Sequence, residues 1–213
     1  MRARFGFGRR AVIQPVERRW VLMGGAALGF GALLPARAVQ ALDVKSAKVL
    51  IGNLVSEINT IINSGTSETA MYREFERVFI RYADVPIIAR SALGIAARGA
   101  SDAQMNAFTL AFQGYISRKY GSRFREFIGG NIEVEDARQI KSFYEVISTA
   151  YLRGEAPFEV RWHVSNKSGR DLFFNLIIEG INMVAAERTE IGALLDERGG
   201  NIEQLTKDLR SLG

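Results

Sequence analysis

The hydrophobic period of this chain changes once, near Gly129-Gly130, and that change restricts the fold more than any other feature. Before the two glycines, apolar residues recur every three or four positions, the spacing that lays one stripe along a helix. Leu50, Leu54, Ile58 and Ile61 predict a first helix over roughly 43–63, stopped by Ser64-Gly65. Met71, Phe75, Val78, Phe79 and Tyr82 predict a second. Asp84-Val85-Pro86 restarts the chain, because Asp caps a helix and Pro costs little in a first turn. That short third helix runs to Leu93-Gly94. Ser101-Asp102-Ala103-Gln104 is a capping-box pattern opening a long helix to about Phe127, with Met105, Phe108, Phe112, Ile116, Tyr120 and Phe124 on its apolar side.

After the glycines the period is two. Ile132 and Val134 suggest one strand, and roughly 143–153 another. Phe158, Val160, Trp162 and Val164 alternate with Glu159, Arg161, His163 and Ser165. Asn166-Lys167-Ser168-Gly169 reads as a turn, and 171–179 as the returning strand of a hairpin. Its run Leu172-Phe173-Phe174-Asn175-Leu176-Ile177-Ile178 is apolar on both sides, as expected of a central strand covered on two faces. Val184, Ile191 and Leu195 place a helix after Gly180, and Gly199-Gly200-Asn201 breaks and caps a last helix carrying Ile202, Leu205 and Leu209. The expected class is α+β, an antiparallel sheet with helices packed on it.

The chain has 213 residues and a net charge of +5, which would suit nucleic acid if the charge lay on the folded domain. It does not. Residues 1–38 hold seven arginines (2, 4, 9, 10, 18, 19, 37) and one acid, Glu17. Trp20 to Leu34 is free of charge, and Pro35 precedes the small residues Ala36-Arg37-Ala38. This is the pattern of a cleaved export signal, with cleavage after Ala38 or Ala41; the 15 apolar residues fall short of the roughly 20 that span a bilayer. Glu17-Arg18-Arg19-Trp20-Val21-Leu22 resembles a twin-arginine signal, with general secretion as the alternative route. Residues 39–213, read as a single domain, keep 21 basic and 22 acidic residues. A near-neutral domain lacks the basic surface that nucleic acid requires.

Catalytic chemistry finds few candidates. The chain has no Cys, so disulfides, thiolate metal sites, a Cys nucleophile and a lipid-modified Cys are excluded. Its one His, His163, falls on the polar side of a strand and reads as surface or structural. No HExxH, G-x-S-x-G or phosphate-loop pattern occurs. Glu133, Glu135 and Asp136 read as a solvated strand face. Glu179, at the end of an apolar strand, could pair with a buried Arg, cap the following helix, or face a ligand's polar end. No cofactor and no metal are expected.

Three segments carry a resemblance. The first is Asp84-Val85-Pro86-Ile87-Ile88-Ala89-Arg90-Ser91-Ala92-Leu93-Gly94. The second is Ser101 and Gln104 followed by Phe108, Phe112, Ile116 and Tyr120-Gly121. The third is Ile178-Glu179-Gly180-Ile181-Asn182-Met183-Val184, with Arg188, Glu190 and Gly199-Gly200 behind it. In order and spacing they resemble the MlaC/Ttg2D (toluene-tolerance) family, the periplasmic phospholipid-binding component of a lipid ABC transport system. The resemblance implies an NTF2/cystatin-like antiparallel sheet whose helices enclose a hydrophobic cavity, and no enzymatic activity. It implies a periplasmic phospholipid carrier, a monomer, serving outer-membrane lipid asymmetry. Its partners would be an inner-membrane ABC transporter complex with an MCE-domain subunit and an outer-membrane lipoprotein–porin complex. Carriage of a hopanoid-related or other hydrophobic lipid is the alternative within the family. An NTF2-like enzyme and a structural envelope protein stand outside it.

The expected lipid contacts are Ile87 and Ile88 on the third helix and Phe108, Phe112 and Ile116 on the long one. The sheet would add Trp162, Val164, Phe174, Leu176 and Ile178, and the closing segment Ile181 and Val184.

Overall fold

The computed structural model describes residues 42–121 and 126–212. The export-signal reading of residues 1–38 and the placement of Phe124 lie outside the described residues. Helix α1 (Val44–Ile62) starts at an Asp43–Ser46 capping box, and Ser67 caps α2 (Glu68–Tyr82). Asp84 caps α3 (Val85–Leu93), with Pro86 in its first turn, and a 3₁₀ turn over Gly94–Arg98 follows. Ser101 and Gln104 exchange the two bonds of a capping box at the start of α4 (Asp102–Gly121).

Five strands follow in sequential order as one antiparallel sheet: β1 (Asn131–Ile140), β2 (Phe143–Tyr151), β3 (Phe158–Ser165), β4 (Leu172–Ile178) and the two-residue β5 (Ile181–Asn182). Helix α5 (Met183–Asp196), capped by Asn182, and α6 (Ile202–Leu209), capped by Asn201, close the chain.

One side of the sheet faces the helices. Its cross-strand rows are Tyr144–Val164–Phe173, Val146–Trp162–Leu176 and Ser148–Val160–Ile178. Helix α1 covers β1 and β2, α3 and α5 lie on β4, and α4 forms an outer layer against α2, α3 and α6. Helix α5 turns Ile191 and Leu195 into this interior, and α6 adds Leu205 and Leu209.

Strand β4 is not the central strand its apolar run predicts. It sits one place from the edge and pairs with β5 over only two residues. Beyond β5 the α2–α3 junction meets it: Ala83 bridges Phe173, whose carbonyl accepts the Asp84 N–H at 2.7 Å. The run is apolar on both sides because Phe173, Leu176 and Ile178 face the core while Phe174 stacks on the outer side against Phe143 and His163. Glu179 does not cap the following helix, which Asn182 caps instead. It is exposed, with φ of +50°, in a tight turn with Gly180 whose paired positive φ values suit a two-residue hairpin.

On the outer side, Arg138 reaches Glu145 through Nε at 2.9 Å and Nη2 at 2.5 Å, and His163 Nε2 lies 3.3 Å from the same carboxylate. Burial alone would raise the Glu145 carboxyl, but the Arg138 guanidinium and His163 outweigh it and hold the group below its ordinary range. The stabilisation is present above the ordinary carboxylate pKa and is lost as pH falls through the depressed value. Glu145→Gln should therefore lower unfolding free energy by about 1–3 kcal/mol at neutral pH. In urea titrations the gap between variant and parent should close on acidification; a gap that persists unchanged at low pH contradicts the assignment.

Two glycines should respond with opposite sign. A Cβ at Gly130 would stand 2.7 Å from the Tyr151 carbonyl oxygen, a backbone atom that cannot step aside, whereas one at Gly52 in α1 meets nothing within 4 Å. Gly130→Ala should cost more than about 1 kcal/mol. Gly52→Ala should add roughly 0.5–1 kcal/mol. Urea midpoints moving in the same direction would refute this.

Candidate functional site

The helix-facing side of the sheet is the candidate site, because its chemistry is apolar and continuous. Trp162 carries the one strong polar group at its centre. The indole N–H donates to Ser148 Oγ at 2.9 Å, and that hydroxyl donates to the Val160 carbonyl at 3.1 Å. Both polar groups are thus satisfied within the sheet, and the wall presents carbon outward. The Trp162 ring meets Phe173 edge-on at 5.4 Å, and Phe173 lies 6.3 Å from Phe79 of α2. At the far end Phe158 and Phe127 meet edge-on at 6.4 Å.

Nine of the twelve expected contacts belong to this one interior. Ile88, Phe108, Phe112, Ile116, Trp162 and Val164 are buried in it, with the Phe108 and Phe112 rings 5.8 Å apart. Leu176, Ile178 and Val184 pack against it while only partly buried, so the interior has an apolar edge where β4 meets α5. The other three stand apart. Ile87 is half-buried on α3 outside that cluster, Phe174 lies on the outer side of the sheet, and Ile181 is 61% exposed beyond the β4–β5 turn.

The displacement of Phe174 has a cause. The β3–β4 register shifts between His163 and Val164, so Val164 opposes Phe173 and His163 opposes Asn175. Phe174 is the extra residue. Phe173 takes the inward place that strict alternation assigns to its neighbour.

A polar cluster joins α4 to α5 beside the apolar edge. Lys119 Nζ lies 2.7 Å from Glu187 and 2.5 Å from Glu190, the Tyr115 hydroxyl donates to Glu190 at 2.5 Å, and the Tyr120 hydroxyl donates to Glu187. Burial, reinforced by the bond to Glu190, pushes the Tyr115 phenol up to about 12. Burial and Glu187 likewise raise Tyr120. For Lys119 burial works against the charge, but the hydrogen bonds to both glutamates prevail and raise its pKa. Glu187 was missed in the sequence although its spacing was informative: three residues after Val184 and four before Ile191, it lies on the stripe that α5 turns inward.

Two open grooves lie elsewhere on the surface, one of about 290 Å³ between α4 and α6 and one of about 200 Å³ between α2 and α4. None of the twelve residues lines either. Among the described residues no group of three or more His, Cys, Asp or Glu could hold a metal ion, and no helix is long and apolar enough to cross a membrane.

The fold is similar to that of a phospholipid-binding protein from Ralstonia solanacearum solved in complex with a phospholipid. The TM-score is 0.66 at 16% identity, covering 78% of this chain and 95% of that one. Residues 52–211 match the family model described as MlaC protein, which takes in both walls of the apolar interior and the α4–α5 cluster beside it. The chain belongs to the MlaC family.

Proposed function

We propose that the protein is a periplasmic carrier that binds phospholipid by its acyl chains. It exchanges that lipid between an inner-membrane ABC transporter complex with an MCE-domain subunit and an outer-membrane lipoprotein–porin complex, and so maintains outer-membrane lipid asymmetry. It acts as a monomer and catalyses no reaction. Family membership over residues 52–211 is the observation that carries the reading, and the phospholipid held by the similar Ralstonia protein supports it.

Physical chemistry supports it as well. Two acyl chains of about 30 methylenes, at about 0.8 kcal/mol each, cost on the order of 24 kcal/mol to expose to water. Passage between membranes therefore needs a dry surface that travels with the lipid. The apolar inner side of the sheet supports this reading, and on it the chains would slide between β4 and α5 past the partly buried Leu176, Ile178 and Val184. Contacts of this kind are non-directional, so side chains can exchange one set of carbon neighbours for another without orphaning a hydrogen bond. The near balance of 21 basic and 22 acidic residues over 39–213 lets the domain leave an anionic bilayer after loading.

Mass spectrometry of lipids extracted from the purified protein should find diacyl phospholipid close to one per chain. Folded protein that is lipid-free and takes up no labelled phospholipid from vesicles overturns the proposal. Ile178→Asp sets a charge on the partly buried edge of the seam, and the folded fraction is measured beside uptake. It should lower uptake by roughly tenfold or more, since a charge beside an acyl chain loses solvation. Far-ultraviolet circular dichroism should remain that of the parent. Uptake equal to the parent's contradicts the placement of the chains.

A further inference from the structure

Two arginines from different helices meet at one glycine. Gly94 ends α3 with a φ of +65°, its N–H bonded to the Arg90 carbonyl. The Arg188 guanidinium of α5 lies against it: a Cβ on Gly94 would stand 3.0 Å from Nε and 3.5 Å from both Cζ and Nη2. Arg90 leaves α3 one turn before the glycine, on the same side of the helix. Both arginines are exposed, and among the described residues neither guanidinium makes a hydrogen bond or an ion pair. Each keeps its five N–H donors for something outside the fold.

The positive charge here is unanswered. Residues 85–101 hold Arg90 and Arg98 and no acid. On α5, Glu187 and Glu190 turn to α4, where they accept from Lys119, Tyr120 and Tyr115. Ser122 to Arg125, outside the described residues, include two further arginines and no acid. The surface therefore attracts an anion, and the planar guanidinium forks match the paired oxygens of a phosphate. Because both arginines stand open to water, such a group reaches them without rearrangement of the fold.

Position selects which phosphate. Val184 packs on the apolar interior at its β4–α5 edge, and Arg188 follows it by one turn on the same side of α5, about 6 Å along the axis. A lipid whose chains enter between β4 and α5 brings its phosphate to that turn, with the glycerol spanning the interval. An acidic protein partner would need no such neighbour. We infer that Arg90 and Arg188, set against Gly94, form a subsite for the phosphate of the bound phospholipid. The carrier then selects its cargo by the polar group that all phospholipids share. The inference rests on the carrier reading and adds a specificity to it.

Purified protein is incubated with vesicles of equal phosphatidylethanolamine and digalactosyldiacylglycerol, and the protein-bound lipids are quantified by mass spectrometry. Both lipids have two acyl chains and only the first has a phosphate. The vesicles carry no net charge, so bulk attraction to their surface does not enter. The parent should enrich phosphatidylethanolamine roughly tenfold, the worth of one charge-assisted hydrogen bond. Arg188→Gln and Arg90→Gln should each bring the ratio toward equality while total bound lipid is kept. Far-ultraviolet circular dichroism checks that each variant is folded, and where one is not, the other decides. Equal amounts of both lipids on the parent, or a preference left intact by either folded variant, overturns the inference alone. If that intact preference comes with slower transfer from the transporter complex, the arginines belong to a protein interface instead. No bound lipid of either kind overturns the carrier reading and this inference with it. Glycerol phosphate binding as tightly as the lipid does would assign the pair to a free phosphate and overturn the lipid source.

Discussion

Everything in this fold depends on one apolar surface, the helix-facing side of the sheet, remaining free of unpaired polar groups. The Trp162–Ser148–Val160 relay secures that at the centre, where a large aromatic with an unpartnered N–H would otherwise need water. With the relay closed, the sheet can be covered by α1, α3 and α5 through carbon contacts alone. The attraction is strong in total and indifferent to direction. An interior of that kind can serve as a core or as a place for acyl chains, because methylene groups and side-chain carbons are interchangeable neighbours.

Much of this was legible in the sequence because the signals were local. The Asp84-Val85-Pro86 restart, the Ser101–Gln104 capping box and the Asn201 cap each lie where the structure uses them. The alternation from Phe158 to Val164 sets Trp162 on the inner side. What escaped was non-local. The register shift opposite His163 exchanges Phe173 for Phe174, and no residue near it announces a bulge. The position of β4 in the sheet follows from β5 being only two residues long and from the α2–α3 junction reaching its edge. Glu187 is a different case: its spacing placed it inward, but an acidic residue is ordinarily assigned to solvent, and only the hydrogen bonds from Lys119 and Tyr120 explain its burial.

The site joins two kinds of chemistry that an amphiphile also joins. Along β4 and α5 the surface passes from Leu176 and Ile178 through Val184 to Glu187 and Glu190, from carbon to carboxylate within two helical turns. The family supports phospholipid binding, and the proposed orientation of the cargo sets its acyl chains toward Trp162. The surface grooves beside α6 and α2 are lined by none of the expected contact residues.

Photocrosslinking tests that orientation most directly. A phospholipid carrying a diazirine at the end of one acyl chain is loaded onto the protein, irradiated, and the labelled peptides are sequenced. The account predicts label on segments of α4 around Phe108–Phe112 and of the sheet around Trp162 and Leu176, all of which line one interior. Label confined to the exposed groove of Gln104 and Lys207, or to the outer side of the sheet at Phe143 and Phe174, would contradict it.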